Sequence, residues 1–430
     1  MHRVGNLSRV KRTARQLPLV DLFAGCGGLS LGLENSGFSP VFVSELNRDA
    51  MESYQLNRRE LSINLRDSRR HVHDILQLTT KRGELESLAG FLRREHQEVG
   101  LVAGGPPCQG YSGIGHRRTF ADLTKSQIPS NHLYREMAKF VEVVQPRAFL
   151  FENVRGLLSA RWTPEGEKGE IWNDVLETFL NIGGRRGLKG YSIAWSLVHA
   201  KDYGVPQNRP RVLMIGIRDD IRWTPGSVVA GGRLPSPIGG APDLVDLLGD
   251  LTDPDWKKNG VTSKYPSSPT NQIQRDLRRG LDGRVARRGA PLTEMEYSNH
   301  SEDVIRKFQY MIRNRGQIPD EMRTKKFAQR LLPKRWGDAG PTITATSLAD
   351  DYVHFSQPRV LTVREWARLQ TFPDWYDFAG KRTTGGRRRA GDPAKGDWSR
   401  DVPKYTQIGN AVPVALAESV GKHLRELIRP

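Results

Sequence analysis

The stretch Leu17–Leu33, LPLVDLFAGCGGLSLGL, decides the fold. Leu17 to Phe23 is a short apolar run that reads as a buried strand. Ala24-Gly25-Cys26-Gly27-Gly28 turns the chain, and Leu29, Leu31 and Leu33 carry it on as a helix. Strand, Gly-x-Gly-Gly and helix in that order is the layout of a nucleotide-type cofactor site. Glycine allows the tight turn and the close approach of backbone to ligand. Glu45 closes the next apolar run, about 20 residues on, where a carboxylate binding ribose hydroxyls is expected. The turn alone does not separate a dinucleotide from S-adenosylmethionine. Cys26, inside the turn, reads as a small packing residue.

Outward from that turn, apolar strands alternate with helical segments. Pro40–Leu46 (PVFVSEL) is the second strand, followed by a helix over Asp49–Leu56 and a strand end at His73-Asp74-Ile75. Val99–Ala103, Ala148–Phe151 and Val212–Ile217 are further buried runs. This alternation predicts an α/β fold with a doubly wound, mostly parallel sheet. After residue 222 the texture changes: Gly, Pro, Ser and Arg become frequent and periodicity weakens. Gln274–Gly289 (QRDLRRGLDGRVARRG) holds six arginines against two aspartates, and Lys381–Arg400 is a second basic, glycine-rich stretch. From Ala411 a helical pattern returns. The expected organisation is an α/β domain over 15–222, a smaller irregular basic domain over 223–403, and a C-terminal segment, 404–430, packing back on the first.

The 430 residues leave ample length for a large core. A net charge of +18 suggests a polyanionic partner, most simply nucleic acid. No apolar run approaches the length of a membrane span, and the basic N-terminus lacks the apolar segment of a secretory signal. Two cysteines form no disulfide framework, and no CxxC offers a zinc site, so the expectation is an intracellular, cytoplasmic protein without a metal.

One of the two cysteines, Cys108, sits in Gly104–Ser112, GGPPCQGYS. A thiol on a loop framed by glycine and proline is placed to meet a ligand, and its thiolate is a strong nucleophile. Glu152 ends another predicted strand, and parallel strand ends open on one edge where ligands bind. Thiol and carboxylate could share a pocket there. No histidine is comparably placed as a base; His71 and His73 read as structural.

Eight ordered blocks now give a specific resemblance. They are DLFAGCGGLSLG (21–32), VSEL (43–46), HDI (73–75), GGPPCQGYS (104–112), ENV (152–154), QNRPRVLMIG (207–216), RVLTVREWARLQTFPDW (359–375) and QIGNAVPVALA (407–417). Together they resemble the DNA (cytosine-5) methyltransferases, over nearly the whole chain. The resemblance implies a Rossmann-like methyltransferase domain with a smaller target-recognition domain, and S-adenosylmethionine as cofactor. It implies double-stranded DNA as partner, with the cytosine rotated out of the duplex. Cys108 would attack C6, Glu152 would hold N3 and the exocyclic amine, and Arg209 and Arg211 would lie near the base, with Arg211 the better candidate for O2. Phe23 would stack on adenine, Gly25 and Gly27 would approach the methionine end, and Glu45 would hold the ribose. Asp74 and Ile75 would take the adenine, Pro107 and Leu133 would wall the site, and Asn410 would close it.

One residue departs from the pattern: Leu46 follows Glu45 where the family often has an aromatic side chain. Residues 113–131 resemble the family's mobile loop over the site, with His116, Arg117, Arg118 and Lys125 suited to phosphate. The variable target-recognition region falls between Ile217 and Arg359. Arg387, Arg388 and Arg389 are expected to contact DNA backbone. Enzymes of this kind act as monomers, alone or beside a restriction endonuclease for the same site. Two competitors remain: a tRNA cytosine-5 methyltransferase, whose downstream Cys-Phe-Thr motif is absent here, and a non-catalytic DNA-binding protein on the same fold.

Overall fold

In the computed structural model, residues 16–107, 126, 128–184, 187–221, 234–322, 329–337, 341–343, 351–383 and 401–429 are described. Cys108, the segment 108–125 and the 387–389 arginines lie outside them. The expected strand after Gln16 is β1, Leu17–Leu22. It is followed by α1 (Gly28–Asn35), β2 (Phe38–Ser44), α2 (Arg48–Leu56) and a two-residue β3 (His71–Val72). Next come α3 (Leu76–Thr79), α4 (Glu84–His96), β4 (Leu101–Gly104), α5 (Leu133–Val144) and β5 (Ala148–Val154). Then α6 (Glu170–Leu180), β6 (Tyr191–His199) and β7 (Pro210–Arg218) complete a seven-stranded sheet of order β3-β2-β1-β4-β5-β7-β6.

β1 lies at the centre, parallel to both β2 and β4. A parallel strand is covered on both faces, which is why LPLVDL is almost continuously apolar. One face carries α4, α5 and α6 through Leu88, Leu92, Met137, Phe140, Val175 and Phe179. The other carries α1 and the C-terminal helix, through Leu29, Leu33, Leu416, Val420 and Leu424.

The sheet is not wholly parallel. β7 runs antiparallel to both β5 and β6. Only residues 200–209 join β6 to β7, too short a link for the helical crossover that parallel neighbours need. β6, at the sheet edge, was not among the expected strands. Its burial is mixed and Trp195 stands exposed, in edge contact with Trp172.

Beyond β7 the chain forms α7 (Leu244–Leu248), α8 (Gln272–Leu277), α9 (Glu302–Arg313), the pair β8 (Arg330–Leu331) and β9 (Tyr352–Val353), and α10 (Val363–Leu369). α11 (Lys404–Asn410) and α12 (Val414–Leu427) follow. α10 begins with a capping box between Thr362 and Glu365, and every one of its residues is buried, charged ones included. Arg368 reaches Asp250 at 2.5 Å and Asp374 at 2.6 Å, and Asp250 also takes Arg278 at 2.6 Å. Arg359 grips Glu365 with two hydrogen bonds of 2.7 and 2.8 Å. Burial alone would raise the Glu365 pKa, but the Arg359 guanidinium outweighs it and holds the carboxyl at about 2. A region that reads as loose and basic thus has an ionic interior. That interior is continuous with the glycine turn, since Cys26 and Leu31 share one apolar cluster with Leu244, Trp366 and Tyr376.

Candidate active site

The chain leaves β1 with Phe23 at φ 56°, Gly25 at 56° and Gly27 at 89°. Phe23 is the unusual member, because a side chain in the left-handed region costs on the order of 1 kcal/mol or more. Such strain persists only where the surroundings hold it. Gly25 donates its N–H to Glu45 Oε2 and Asn47 donates to Oε1, both at 2.8 Å. Glu45 therefore ties the turn to the end of β2. Burial raises its carboxyl pKa, against the lowering effect of those two donors. A carboxylate accepts about four hydrogen bonds, so capacity remains for ligand hydroxyls. A Cβ built on Gly25 would meet nothing within 4 Å, so the turn fronts open space.

His73 Nδ1 lies 3.1 Å from the Glu45 carbonyl, and Asp74 Oδ1 accepts from Leu76 N–H at 3.0 Å. Ile75 is buried in the core against which Phe23 packs. Phe23, Glu45, Asp74 and Ile75 thus follow the carboxyl ends of three neighbouring strands. Leu46 is 70 % exposed beside Glu45.

Beneath the turn lies a brace that the sequence reading missed. Arg58 donates to Glu34 Oε1 at 2.6 Å, to the Tyr376 hydroxyl at 3.0 Å and to the Gly27 carbonyl at 3.3 Å. Its guanidinium stacks 3.8 Å over the Tyr54 ring. Tyr376 donates its hydroxyl to the Cys26 carbonyl at 2.5 Å. Within its local sequence, NRRE, Arg58 reads as surface charge, and nothing local marks Tyr376. Cys26 is buried, its thiol 3.4 Å from the Gln407 carbonyl and pushed up to about 12 by burial, as suits a packing residue. Asp21 is also buried, with the Ser30 hydroxyl, itself 2.6 Å from the Tyr54 hydroxyl, as its polar neighbour. Burial pushes its pKa up to about 7.

The second half of the site forms where β4 runs into Gly105-Pro106-Pro107. Glu152, on β5, has Oε2 2.8 Å from where a Cβ on Gly105 would stand. Asn153 donates Nδ2–H to the Pro106 carbonyl at 3.2 Å, fastening the backbone two residues before Cys108. Arg211 comes from β7, opposite Val154, so it reaches along the same sheet face to Glu152. Its Nε is 2.6 Å from Glu152 Oε1, with both side chains about one-tenth exposed (11 % and 12 %).

Arg209, expected beside Arg211 at the base, is turned the other way. It is buried and donates to the carbonyls of Gly409 (2.7 Å), Ala411 (3.0 Å) and Ile343. Its guanidinium is engaged with backbone, so it acts as a positioning residue. Gln207 completes the join by donating to the Leu369 carbonyl at 2.7 Å and accepting from Ile343 N–H at 3.0 Å. The blocks at 207–211, 341–343, 369–370 and 408–411 therefore meet in space. Asn410 ends α11 exposed, while Pro107 and Leu133 are half-buried. Leu133 opens α5.

A strained glycine turn answered by a carboxylate, on a sheet of this order, defines a Rossmann-like methyltransferase fold. A solved structure of a protein encoded within an E. coli prophage, described as a DNA modification methyltransferase, shares that fold, with a TM-score of 0.67 and 24% identity over 96% of this chain and all of that one. Dnmt2 methyltransferase of S. pombe shares it more distantly, at a TM-score of 0.52 and 15% identity over 96% of this chain and 99% of that one. The family model for C-5 cytosine-specific DNA methylase matches residues 17–426, and the chain belongs to that family. It is a DNA (cytosine-5) methyltransferase. The chain is 29% identical over 419 residues to the Type II methyltransferase M.DdeI of Desulfomicrobium norvegicum, covering 94% of this chain and 88% of that protein. It is 28% identical over 422 residues to M1.HphI of Haemophilus parahaemolyticus, covering 97% and 88%. Among the described residues no helix is long and apolar enough to cross a membrane.

Proposed function

We propose that this enzyme methylates C5 of a cytosine rotated out of a specific duplex DNA sequence, through a covalent bond between Cys108 and C6. The observation that carries the reading is the Glu152–Arg211 pair, 2.6 Å apart, set against the Gly105-Pro106 backbone that leads into Cys108. Cytosine C5 is a poor nucleophile. Attack of the Cys108 thiolate at C6 forms the S–C6 bond and moves the ring's C5–C6 π electrons toward C5. Glu152 holds N3 and the exocyclic amine, favouring protonation at N3 as charge builds. Arg211 fixes the Glu152 carboxylate and lies beside the base, near O2. Once C5 carries its methyl group, loss of the C5 proton and release of the thiolate restore the ring.

S-adenosylmethionine, when bound, supplies the electrophilic methyl group. The residues present fit it: the open space before Gly25 and the spare acceptor capacity of Glu45 suit a ligand with ribose hydroxyls. Phe23, Asp74 and Ile75 would take the adenine, Gly25 and Gly27 the methionine end, and Pro107, Leu133 and Asn410 the walls. The enzyme works as a cytoplasmic monomer on double-stranded DNA, and a restriction endonuclease for the same sequence is its expected companion.

The test is radiolabelled methyl transfer from S-adenosylmethionine to DNA of mixed sequence, beside tRNA, for the wild type and Cys108→Ala. Label in DNA alone, abolished in the variant, is the expected result. Label in tRNA would overturn the DNA assignment. Tight DNA binding with no label would point to a non-catalytic protein.

A further inference from the structure

The six arginines of Gln274–Gly289 are not equivalent. Arg278 is buried, donating from Nε to Asp250 Oδ2 at 2.6 Å and from Nη1 to the Ser267 carbonyl at 2.9 Å, and stacking 3.9 Å over Tyr265. Arg279 turns back to Asp276 at 3.4 Å and to the Gly283 carbonyl at 3.1 Å. Arg284 is 91 % exposed, with Asp282 only loosely beside it at 3.8 Å. Arg287 and Arg288 are exposed as well.

These exposed guanidinium groups stand on a rigid mount. Arg279 and Val285 form an antiparallel bridge, and Ala286 N–H returns to the Arg278 carbonyl at 3.2 Å. Gly280 N–H reaches the Arg284 carbonyl at 2.8 Å, and Gly283 rounds the tip at φ 81°. Just beyond, Gly289 N–H donates to the Tyr265 carbonyl and Tyr265 N–H donates to the Ala290 carbonyl, both at 3.0 Å. Through Arg278 and Asp250 the turn is keyed to Arg368 of α10. An open groove of about 770 Å³ lies against it, floored by Pro269, Val285, Ala286 and Ala290 and edged by Arg284 and Arg287.

Resting on the DNA reading above, we propose that Arg284 and Arg287, on this braced turn beside its apolar groove, read base edges of duplex DNA and help set which sequence is methylated. A phosphate contact needs only positive charge within reach. Reading a base needs a guanidinium fork at a fixed height, which suits guanine O6 and N7. The apolar floor adds a surface for a thymine methyl group or a sugar face, which phosphate recognition would not use.

The test uses the full-length enzyme, a mixed-sequence DNA library and bisulfite sequencing. The wild type first defines the methylated motif; Arg284→Gln and Arg287→Gln are then read on the same library. The expected result is a motif broadened at one or more positions, with discrimination there reduced about tenfold to a hundredfold. Arg284→Lys and Arg287→Lys keep the charge but lose the fork, and they should broaden the motif too. An unchanged motif overturns the proposal. So does the same motif with uniformly weaker, less salt-sensitive binding, which is the signature of phosphate contact. Absence of any motif with the wild type would sink the parent reading and this one with it, whereas a motif blind to all four variants sinks this one alone.

Discussion

The glycine-turn end of the sheet and the ionic interior around α10 both bury charge, to opposite ends. Around the turn, Arg58 and Glu34 support backbone held in strained conformations in front of open space. Around α10, Arg278, Arg359, Arg364 and Arg368 are enclosed and answered by Asp250, Glu365, Asp374 and backbone carbonyls. The first arrangement keeps a surface available; the second uses charge up as scaffold. The net charge of +18 is therefore not a uniform basic coat. The arginines enclosed in that scaffold are not available to a polyanion.

The comparison can be broken most sharply at Glu152, where charge should serve chemistry. Glu152→Gln keeps the shape and removes the carboxylate, and single-turnover methyl transfer should fall about 10²–10⁴-fold. A fall of less than about threefold would make the Glu152–Arg211 pair a structural one, like those around α10. Next in size is Asp250→Ala, which strips Arg278 of its buried carboxylate and leaves Arg368 with Asp374. Breaking a buried pair from one side should cost about 3–5 kcal/mol in denaturant unfolding. Removing Glu52, exposed with its partner Arg66 at 2.7 Å, should cost less than about 1 kcal/mol. Equal losses would mean that the interior of the α10 region is not the scaffold its burial indicates.

A pH-dependent effect concerns Asp21, the buried carboxyl beside Ser30. Its folded pKa, about 7, lies above the ordinary 3.8, so the folded state holds the proton more tightly. Its stabilising contribution is whole below about pH 4 and is lost as pH rises toward 7. Wild-type stability should decline between about pH 4 and 7, and Asp21→Asn should flatten the decline, by about 4 kcal/mol at most. Parallel pH profiles from thermal melts of the two proteins would show that Asp21 does not titrate in this range.

What the sequence disclosed follows the same divide. β1, the glycine turn and Glu45 are legible because their requirements are local: a doubly covered strand must be apolar, and a left-handed turn favours glycine. Glu152 is legible as the acid at a strand end. β6 escaped because an edge strand with one exposed face carries no strong period. Arg58, Tyr376 and the inward turn of Arg209 are set by partners 24 to 350 residues away in sequence, which no local pattern records. Arg278 sits in a run that looks uniformly basic, and only the fold separates it from Arg284.

The Tyr376 hydroxyl on the Cys26 carbonyl also bears on the order in which the molecule is made. A chain leaves the ribosome N-terminus first, so the glycine turn emerges among the earliest segments. Arg58 follows soon after, but the Tyr376 hydroxyl arrives 350 residues later, and the Gln407 carbonyl that meets the Cys26 thiol later still. A growing chain can assemble much of the sheet long before this turn gains its last two contacts. Premature termination anywhere before Tyr376 would leave the turn to Glu45 and Arg58, without its last brace.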